Sequence, residues 1–269
     1  MNFSGFFCSV RKNPLSFFFF FVGLGIILFV AGTLFNLLFK TLFLNTDNFY
    51  KVMQDETVLR SIWLTMYTSF LATIIAMIFG IPLAYVLARH DFPFKQVIES
   101  FIDIPIIIPH TVAGIALFSL LMKRGAIGGF FESIGIVFQD SMWGVVAAML
   151  FVSYPFFVNA AKDGFASVNP NYENVARTLG ASQTHAFLHI TLPLSLRHVI
   201  SGAIMSWARG VSEFGAVVVI AYYPMIASTL ILYRFNTGGL SESQPIAVLL
   251  IIMCFITFMA LRLVSKKKW

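Results

Sequence analysis

The stretch Val58–Ala88, VLRSIWLTMYTSFLATIIAMIFGIPLAYVLA, decides the fold class of this chain. Arg60, close to its start, is its one charged residue. A helix needs about 20 apolar residues to cross the roughly 30 Å of hydrocarbon in a bilayer, so this stretch is long enough to span a membrane. Five further stretches have similar length and composition: Phe17–Phe43, Val97–Met122, Met142–Ala161, Leu194–Ala221 and Ile246–Val264. We therefore predict an all-α polytopic membrane protein with six transmembrane helices.

The composition of the whole chain points the same way. Of the 269 residues, 58% are hydrophobic and 11% are charged, and the mean hydropathy is +0.85. Ordinary soluble domains contain about 25% charged residues and rarely expose large apolar patches. A transmembrane barrel would instead show alternating segments of about ten residues. The composition thus excludes a water-soluble enzyme domain, and the unbroken apolar runs disfavour a barrel.

The basic residues predict how the chain sits in the membrane. If all six stretches cross the membrane, most of the 18 Lys and Arg residues lie on the same side of the membrane as the N-terminus. Because cytoplasmic loops carry the excess of Lys and Arg, we expect a multi-pass cell-membrane protein with both termini in the cytoplasm. The membrane thereby accounts for the net charge of +6, and no nucleic-acid partner is expected. The first stretch is longer than a signal-peptide core of about 7–15 residues, so we expect it to be retained as a helix.

Two prolines interrupt the third stretch. Pro105 and Pro109 bracket Ile106–Ile108 ahead of His110 and Thr111. Each proline removes a backbone donor and clashes with the preceding turn. A bilayer tolerates such a break where neighbouring helices or water satisfy the freed carbonyl groups. Two interpretations follow, either a simple kink or an opening of the third span near a transport pathway.

The polar segment Asp163–Pro193 lies between the fourth and fifth stretches, on the predicted cytoplasmic side. Asn169 and Pro170 predict the start of a helix, because Asn is a favoured N-cap and Pro fits the first helical position. Glu173 then falls in the first turn, where the helix dipole favours a negative charge. Gly180 suits a left-handed C-terminal cap, so the helix is expected to end there.

The same segment is expected to hold an apolar helix face. Tyr172, Val175 and Leu179 recur at helical spacing, and Ser182 can cap a second short helix before Pro193 ends the segment. This face is too small for a core, and it could fill a groove on a soluble partner. The alternative is an ordinary re-entry loop that rests on the lipid headgroups.

The spacing within this segment resembles the cytoplasmic loop of ABC importer permeases. That loop reads E-A-A, three residues, Gly, nine residues and I-x-L-P, and here nine residues separate Gly180 from Ile190-Thr191-Leu192-Pro193. The start departs from the pattern, because Asn174-Val175-Ala176 stands at the E-A-A position and Glu173 lies one position early. In that family the loop is the coupling helix, which docks into a separate ATP-hydrolysing subunit. The resemblance implies the following ATPase-coupling residues: Tyr172, Glu173, Val175, Ala176, Leu179 and Gly180.

Three other stretches carry a closer resemblance: Ile104–Gly114 (IPIIIPHTVAG), Ala203–Ala216 (AIMSWARGVSEFGA) and Ala221–Ile226 (AYYPMI). They are similar to the molybdate/tungstate permeases, a branch of this family that handles oxyanions. The resemblance covers about Leu59 to Leu263. It implies a type I ABC importer fold and translocation of molybdate or tungstate by alternating access, with sulfate or thiosulfate as the alternative substrates.

The resemblance also implies partners. One chain carries one coupling segment whereas ABC machines use two ATPase sites, so we expect a homodimer with one ATPase subunit under each protomer. An external or periplasmic oxyanion-binding protein is expected to deliver the anion, and membrane lipid surrounds the spans. ATP and Mg²⁺ are expected on the ATPase subunit, with no cofactor on this chain. The expected organisation is a cytoplasmic N-terminal tail at 1–16, a first transmembrane helix at 17–43, a permease core at 58–264 with the coupling loop at 163–193, and a basic cytoplasmic tail at 265–269.

The fifth stretch contains two charged residues that a bilayer disfavours. Arg209 and Glu213 lie near its middle and share one helical face at i, i+4 spacing. One interpretation is a structural ion pair that fixes helix packing, and the other is that the pair borders the translocation route. Ser206 and Ser212, on the same stretch, could hydrogen-bond an oxyanion or a neighbouring helix. The translocation-pathway candidates are Thr111, Ser206, Arg209, Ser212 and Glu213.

The sequence carries no sign of catalysis. It contains no G-x-x-x-x-G-K-[ST] motif, so the chain is not expected to hydrolyse ATP. His185 and His189 are four residues apart but lack the glutamate of an H-E-x-x-H zinc motif. We therefore predict no catalytic and no metal-binding residues. From a different class, a channel or a proton-coupled carrier that uses Arg209 and Glu213 remains an alternative, while the absent catalytic spacing disfavours an intramembrane hydrolase.

Overall fold

The computed structural model describes residues 14–125 and 127–266, which form helices and connecting turns without a strand. Residues 1–13 and 267–269, which hold most of the two predicted tails, lie outside the described residues. Two stretches, Lys40–Leu44 and Phe187–Thr191, are π-helical. The α-helices run in chain order as α1 Pro14–Phe39, α2 Thr46–Gln54, α3 Glu56–Arg89, α4 Lys95–Ile107, α5 His110–Leu121, α6 Gly128–Ser133, α7 Met142–Ser167, α8 Asn171–Thr178, α9 Gln183–Ala186, α10 Leu192–Val211, α11 Val217–Ile220, α12 Ala227–Gly238 and α13 Leu240–Lys266.

The helices confirm the predicted all-α class and its spans. Among the described residues, 5 helical ranges are long and apolar enough to cross a membrane, and there are 6 spans if the bent pair of α4 and α5 counts as one. The continuous ranges are Phe17–Leu44, Glu56–Arg89, Met142–Ser167, Gln183–Val211 and Leu240–Leu263. The chain is therefore a multi-pass membrane protein.

The third span is broken at its second proline. Helix α4 ends at Ile107, α5 begins at His110, and their axes differ by 113°. Pro109 directly precedes α5 with extended backbone, since its φ is −56° and its ψ is 134°. Pro105 lies inside α4 without ending it. The third stretch is thus broken into two helices, which is more than a simple kink.

The prediction that the fifth span reaches Ala221 was wrong, because α10 ends at Val211. Glu213 follows the helix end, and its side chain accepts a hydrogen bond from the backbone N–H of Ala216. That bond satisfies a donor just before α11, at a helix start where N–H groups lack intrahelical partners. The apolar run after Glu213 is therefore a separate short helix. Arg209 lies in the last turn of α10 rather than in the middle of a span.

Other helix ends also differ from the prediction. Helix α7 continues to Ser167, past the predicted end at Ala161, and α13 begins at Leu240, ahead of the predicted Ile246. Helix α12 was not predicted at all. Counting apolar residues finds the part of a helix that lies in hydrocarbon, and it misses the polar turns that extend the same helix beyond it.

Helices α3, α7 and α10 form the central bundle, and small residues let them approach closely. A Cβ atom on Gly202 of α10 would lie 2.9 Å from the Cβ of Ala160 on α7. The hydroxyl of Ser69 on α3 donates to the carbonyl oxygen of Trp207 on α10 at 2.8 Å. Close approach of small residues and hydrogen bonds between helices are the main attractions available to helices in lipid.

Replacing Gly202 with valine is expected to destabilise the central bundle. The new side chain would overlap Ala160, and extra methyl groups forced into a packed core typically cost about 1–3 kcal/mol. The matched control is Gly23→Val on α1, where an added Cβ meets nothing within 4 Å. Thermal unfolding of the two purified variants in detergent measures the difference. Equal melting temperatures would contradict the packing described above.

Candidate functional site: an intramembrane charge cluster and an exposed helix

The predicted charged pair lies where α10 ends and α5 begins. Arg209 Nη2 is 2.9 Å from Glu213 Oε2, so the two residues form an ion pair. The break between α4 and α5 brings His110 to the same place, with its Nδ1 3.1 Å from Glu213 Oε2. Both ring nitrogens of His110 lie 2.9 Å from Arg209 Nη2. We name His110, Arg209, Ser212 and Glu213 the intramembrane cluster.

Glu213 is the buried centre of the intramembrane cluster. Its side chain is 1% exposed, and its Oε1 accepts a hydrogen bond from the N–H of Ala216 at 2.8 Å. Its backbone carbonyl oxygen accepts a hydrogen bond from the hydroxyl of Ser228 at 3.2 Å. A buried carboxylate is costly unless it is paired and hydrogen-bonded, and these contacts offset that cost. Glu213 therefore ties the end of α10 to the starts of α5 and α11.

Arg209 is the more accessible charge of the pair. Its side chain is 20% exposed, and its Nη1 donates to the hydroxyl of Ser212, an exposed residue, at 3.0 Å. A guanidinium group is a planar donor well suited to oxyanions. The opposite charge of Glu213 reduces the net field around this guanidinium group. The arrangement therefore offers guanidinium and hydroxyl donors beside a carboxylate that offsets the positive charge.

The other two pathway candidates are placed differently. Thr111 follows His110 on α5 and is exposed. Ser206 lies one turn before Arg209 on α10 and is buried, and its hydroxyl has no hydrogen-bond partner within the described part of the chain. His110 was not among the predicted candidates. Its place directly after Pro109, within the stretch Ile104–Gly114 that carries the family resemblance, could have identified it.

The loop between α7 and α10 has the predicted turn chemistry. The Oδ1 of Asn169 accepts a hydrogen bond from the N–H of Asn171 at 3.0 Å, at the start of α8. Gly180 has a φ of +95°, the left-handed conformation that favours glycine after a helix. The hydroxyl of Ser182 accepts a hydrogen bond from the N–H of His185 at 3.2 Å. These contacts confirm Ser182 as the cap of the second short helix. At the first, the helix begins at Asn171 and Pro170 is the N-cap, one position later than predicted.

The prediction that Pro193 ends this loop was wrong. Helix α9 continues through the π-helical stretch Phe187–Thr191 directly into α10. Pro193 lies in the first turn of α10, directly after the π-helical stretch, and it does not interrupt the continuous helix. The membrane helix therefore connects rigidly to the loop that carries α8.

Helix α8 exposes the predicted apolar face. Tyr172, Val175 and Leu179 are 56%, 57% and 84% exposed. Ala176 is half-buried beside them, and Gly180 is exposed where the chain turns away. An apolar helix face on a polar loop, with nothing of the described chain covering it, fits a groove on another protein.

Glu173 points the other way, into the protein. Its Oε2 accepts a hydrogen bond from the hydroxyl of Tyr85 at 2.7 Å. Its Oε1 lies 3.0 Å and 2.9 Å from Nε and Nη2 of Arg89, and it also accepts a hydrogen bond from the hydroxyl of Thr191. Sequence reasoning placed Glu173 in a first turn and missed these partners, because they come from other helices.

The charge state of Glu173 follows from these contacts. Burial by itself raises the pKa of this carboxyl group. The hydrogen bonds from Thr191 and Tyr85 and the positive charge of Arg89 together outweigh burial, so the pKa of Glu173 lies below its ordinary value. Glu173 is therefore ionised at neutral pH, and the contact with Arg89 is an ion pair.

Among the residues that the structure describes, no group of three or more His, Cys, Asp or Glu side chains could hold a metal ion. His185 and His189 stack with ring centroids 4.0 Å apart on the surface of α9 and the following π-helical stretch. The Nδ1 of His189 lies 3.1 Å from the carbonyl oxygen of His185. Local stacking and hydrogen bonding account for this pair.

Comparison with known proteins identifies relatives. A family described as "Binding-protein-dependent transport system inner membrane component" matches residues 79–269. The molybdate/tungstate transport system permease protein of Thermococcus kodakarensis is 47% identical over 218 residues, which cover 81% of this chain and 83% of the relative. The protein of the same description from Pyrococcus furiosus is 41% identical over 252 residues, which cover 94% of this chain and 96% of the relative.

The fold also has a solved counterpart. The crystal structure of a bacterial ABC transporter involved in the import of the acidic polysaccharide alginate contains a chain that superposes with a TM-score of 0.76. The superposition covers 98% of this chain and 99% of that chain, at 16% sequence identity. At this identity the likeness establishes the fold of a type I ABC importer permease.

Proposed function

The chain belongs to the family of binding-protein-dependent transport system inner membrane components, and on this premise we propose that it forms the membrane path for molybdate and tungstate. It is a transport permease subunit of an ABC importer and not an enzyme. The observation that carries the substrate class is the identity to archaeal molybdate/tungstate permeases, which extends over most of the chain. The energy of transport comes from ATP hydrolysis on a separate ATPase subunit.

The proposed transporter is a homodimer with two ATPase subunits and an external oxyanion-binding protein. Each chain supplies one α8, and a two-fold axis along the path places one ATPase subunit under each protomer. ATP and Mg²⁺ bind the ATPase subunit, and lipid surrounds the spans. The excess of basic residues on the side of the N-terminus supports cytoplasmic termini and a cytoplasmic α8. In this plan residues 17–43 form a first membrane helix and residues 58–264 a permease core that contains the coupling loop 163–193.

Helix α8 is the proposed coupling helix. Its exposed side chains, Tyr172, Val175 and Leu179, fill a groove of the ATPase subunit, with Ala176 and Gly180 shaping the edge of the contact. ATP binding draws the two ATPase subunits together and moves both copies of α8 inward. The spans then rock toward an outward-facing state, and hydrolysis returns them by rigid-body motion.

The intramembrane cluster, together with Thr111 and Ser206, borders the proposed anion path. Its support is the accessible guanidinium of Arg209, the hydroxyl of Ser212 and the break in the third span beside them. Broken membrane helices are tolerated where they line a cavity or pack against protein. Because the charge of Glu213 offsets that of Arg209, the path attracts a dianion weakly, and selectivity rests mainly with the external binding protein.

A transport assay tests this proposal. The chain, reconstituted in vesicles with its co-purifying ATPase subunit and the external binding protein, is expected to take up labelled molybdate in the presence of ATP. An excess of tungstate should abolish the uptake, whereas the same excess of sulfate should leave most of the uptake intact. Strong competition by sulfate would indicate that the substrate is sulfate or thiosulfate instead. Uptake by the chain without an ATPase subunit, driven by an anion or proton gradient, would instead indicate a channel or a carrier.

A further inference from the structure

One buried carboxylate joins α8 to the ends of α3 and α10, and its partner Arg89 also reaches the end of α7. Tyr85 and Arg89, which hold Glu173, lie one turn apart at the C-terminal end of α3. Thr191, its other donor, directly precedes α10. Arg89 also donates through Nη1 to the carbonyl oxygen of Val168, just beyond the end of α7, at 2.8 Å. The ends of α3, α7 and α10 therefore meet α8 around a single side chain.

The contact between Arg89 and Glu173 is shielded from solvent. Their side chains are 8% and 10% exposed. The Nε of Arg89 donates a hydrogen bond to Oε1 of Glu173, and Nη2 lies within ion-pair distance of the same oxygen. Separating such a pair leaves a buried charge uncompensated, which makes the connection stiff. The nearby pair of Lys95 and Asp91 is different, because Asp91 is fully exposed and an exposed ion pair contributes little.

Aromatic rings close the contact on its apolar side. The ring of Tyr85 packs edge to face against Phe187, with centroids 4.7 Å apart, and against Phe165 at 6.0 Å. Phe165 and Phe187 contact each other at 5.7 Å. Low local polarity strengthens the hydrogen bonds and the ion pair beside these rings. Tyr85, Phe165 and Phe187 belong to α3, α7 and the π-helical stretch that leads into α10. This apolar contact therefore joins the helix ends that also meet around Glu173.

We propose that Glu173 is a positioning residue for coupling, which fastens α8 to the ends of α3 and α10 so that a displacement of α8 moves the central bundle as one body. The inference rests on the proposed function of α8 as the contact with the ATPase subunit. It separates two roles on one short helix. The exposed face of α8 receives the motion of the ATPase subunit, and Glu173, on the opposite side, passes that motion to the membrane helices.

The test measures molybdate uptake and ATP hydrolysis in the same vesicles, which hold the full complex of the chain, its ATPase subunit and the external binding protein. For Glu173→Gln we expect the ATPase subunit to remain bound while hydrolysis is no longer matched by uptake. The molybdate transported per ATP should fall about tenfold, which corresponds to about 1.4 kcal/mol. The control Asp91→Asn removes the exposed ion pair at the same end of the bundle and should keep the parental ratio.

Two results would overturn the inference. A parental ratio of molybdate to ATP in Glu173→Gln would show that the carboxylate transmits nothing, and loss of the ATPase subunit from this variant would make Glu173 a direct contact. If the Glu173→Gln chain itself does not fold, Tyr85→Phe decides, because it removes one hydrogen bond and keeps the ring. A lowered ratio in Tyr85→Phe then supports the inference, and a parental ratio overturns it. If the unmodified complex shows no ATP-dependent uptake, the proposed function itself fails.

Discussion

Replacing Arg209 with alanine is expected to abolish molybdate uptake. The side chain of Glu213 is 1% exposed, and Arg209 is its charged partner at 2.9 Å. Removing one partner of a buried ion pair typically costs about 3–5 kcal/mol, which is a large part of the stability of a protein domain. Both the yield of folded protein extracted from membranes and the ATP-dependent uptake of labelled molybdate in vesicles should fall sharply.

A double variant separates the structural role of this pair from a role in transport. Replacing both charges leaves no buried charge unpaired, and the amide oxygen of a glutamine can still accept the hydrogen bond from Ala216, so Arg209→Met with Glu213→Gln should recover folded protein. If Arg209 meets the anion on its path, uptake should stay at least about tenfold below the parental rate, which is the effect of about 1.4 kcal/mol on one step. A double variant that folds and transports at the parental rate would reduce the pair to a packing element and refute its place on the path.

The sequence predicts the membrane helices well and their interruptions poorly. Val58–Ala88 lies within α3, because apolar length is a direct requirement of the bilayer. The end of α10 was missed because the residues after Val211 are as apolar as the helix itself. The chain leaves the helix there because the Glu213 side chain caps Ala216 and Gly215 packs against His110, where a Cβ would lie 2.7 Å from the His110 Cβ. Such tertiary contacts leave no mark in hydropathy.

In the candidate site, contacts between near neighbours in the chain could be predicted, and contacts between distant positions could not. Caps and i, i+4 pairs are local, so Asn169, Ser182 and the pair of Arg209 and Glu213 were predictable from spacing alone. The partners of Glu173 come from a helix 84 and 88 residues away in the chain and from a donor 18 residues later. No single-sequence rule joins positions at those separations, and the fold had to be known before the carboxylate could be assigned to the inside of α8.

Replacing Val175 with aspartate is expected to detach the ATPase subunit. Val175 is 57% exposed in the centre of the apolar face of α8, between Tyr172 and Leu179. Burying a valine side chain in an interface is worth about 1.5–3 kcal/mol, and the aspartate must in addition lose its hydration to enter the same groove. The dissociation constant of the ATPase subunit should therefore rise by at least about tenfold, since each 1.4 kcal/mol is a factor of ten. Titration of the ATPase subunit onto vesicles that contain the chain measures this change.

The control for this variant is a substitution at the preceding residue of the same helix. Asn174 is exposed, and Asn174→Asp adds the same charge about a quarter of a turn from Val175, where the helix face is polar. If charge near the membrane surface were the cause of detachment, both variants would weaken binding equally. If the apolar face fills the groove, Asn174→Asp binds as the parent does and Val175→Asp does not. Equal affinity of both variants for the ATPase subunit would place the docking surface elsewhere on the chain, and α8 would then be an ordinary loop helix that rests on the lipid headgroups.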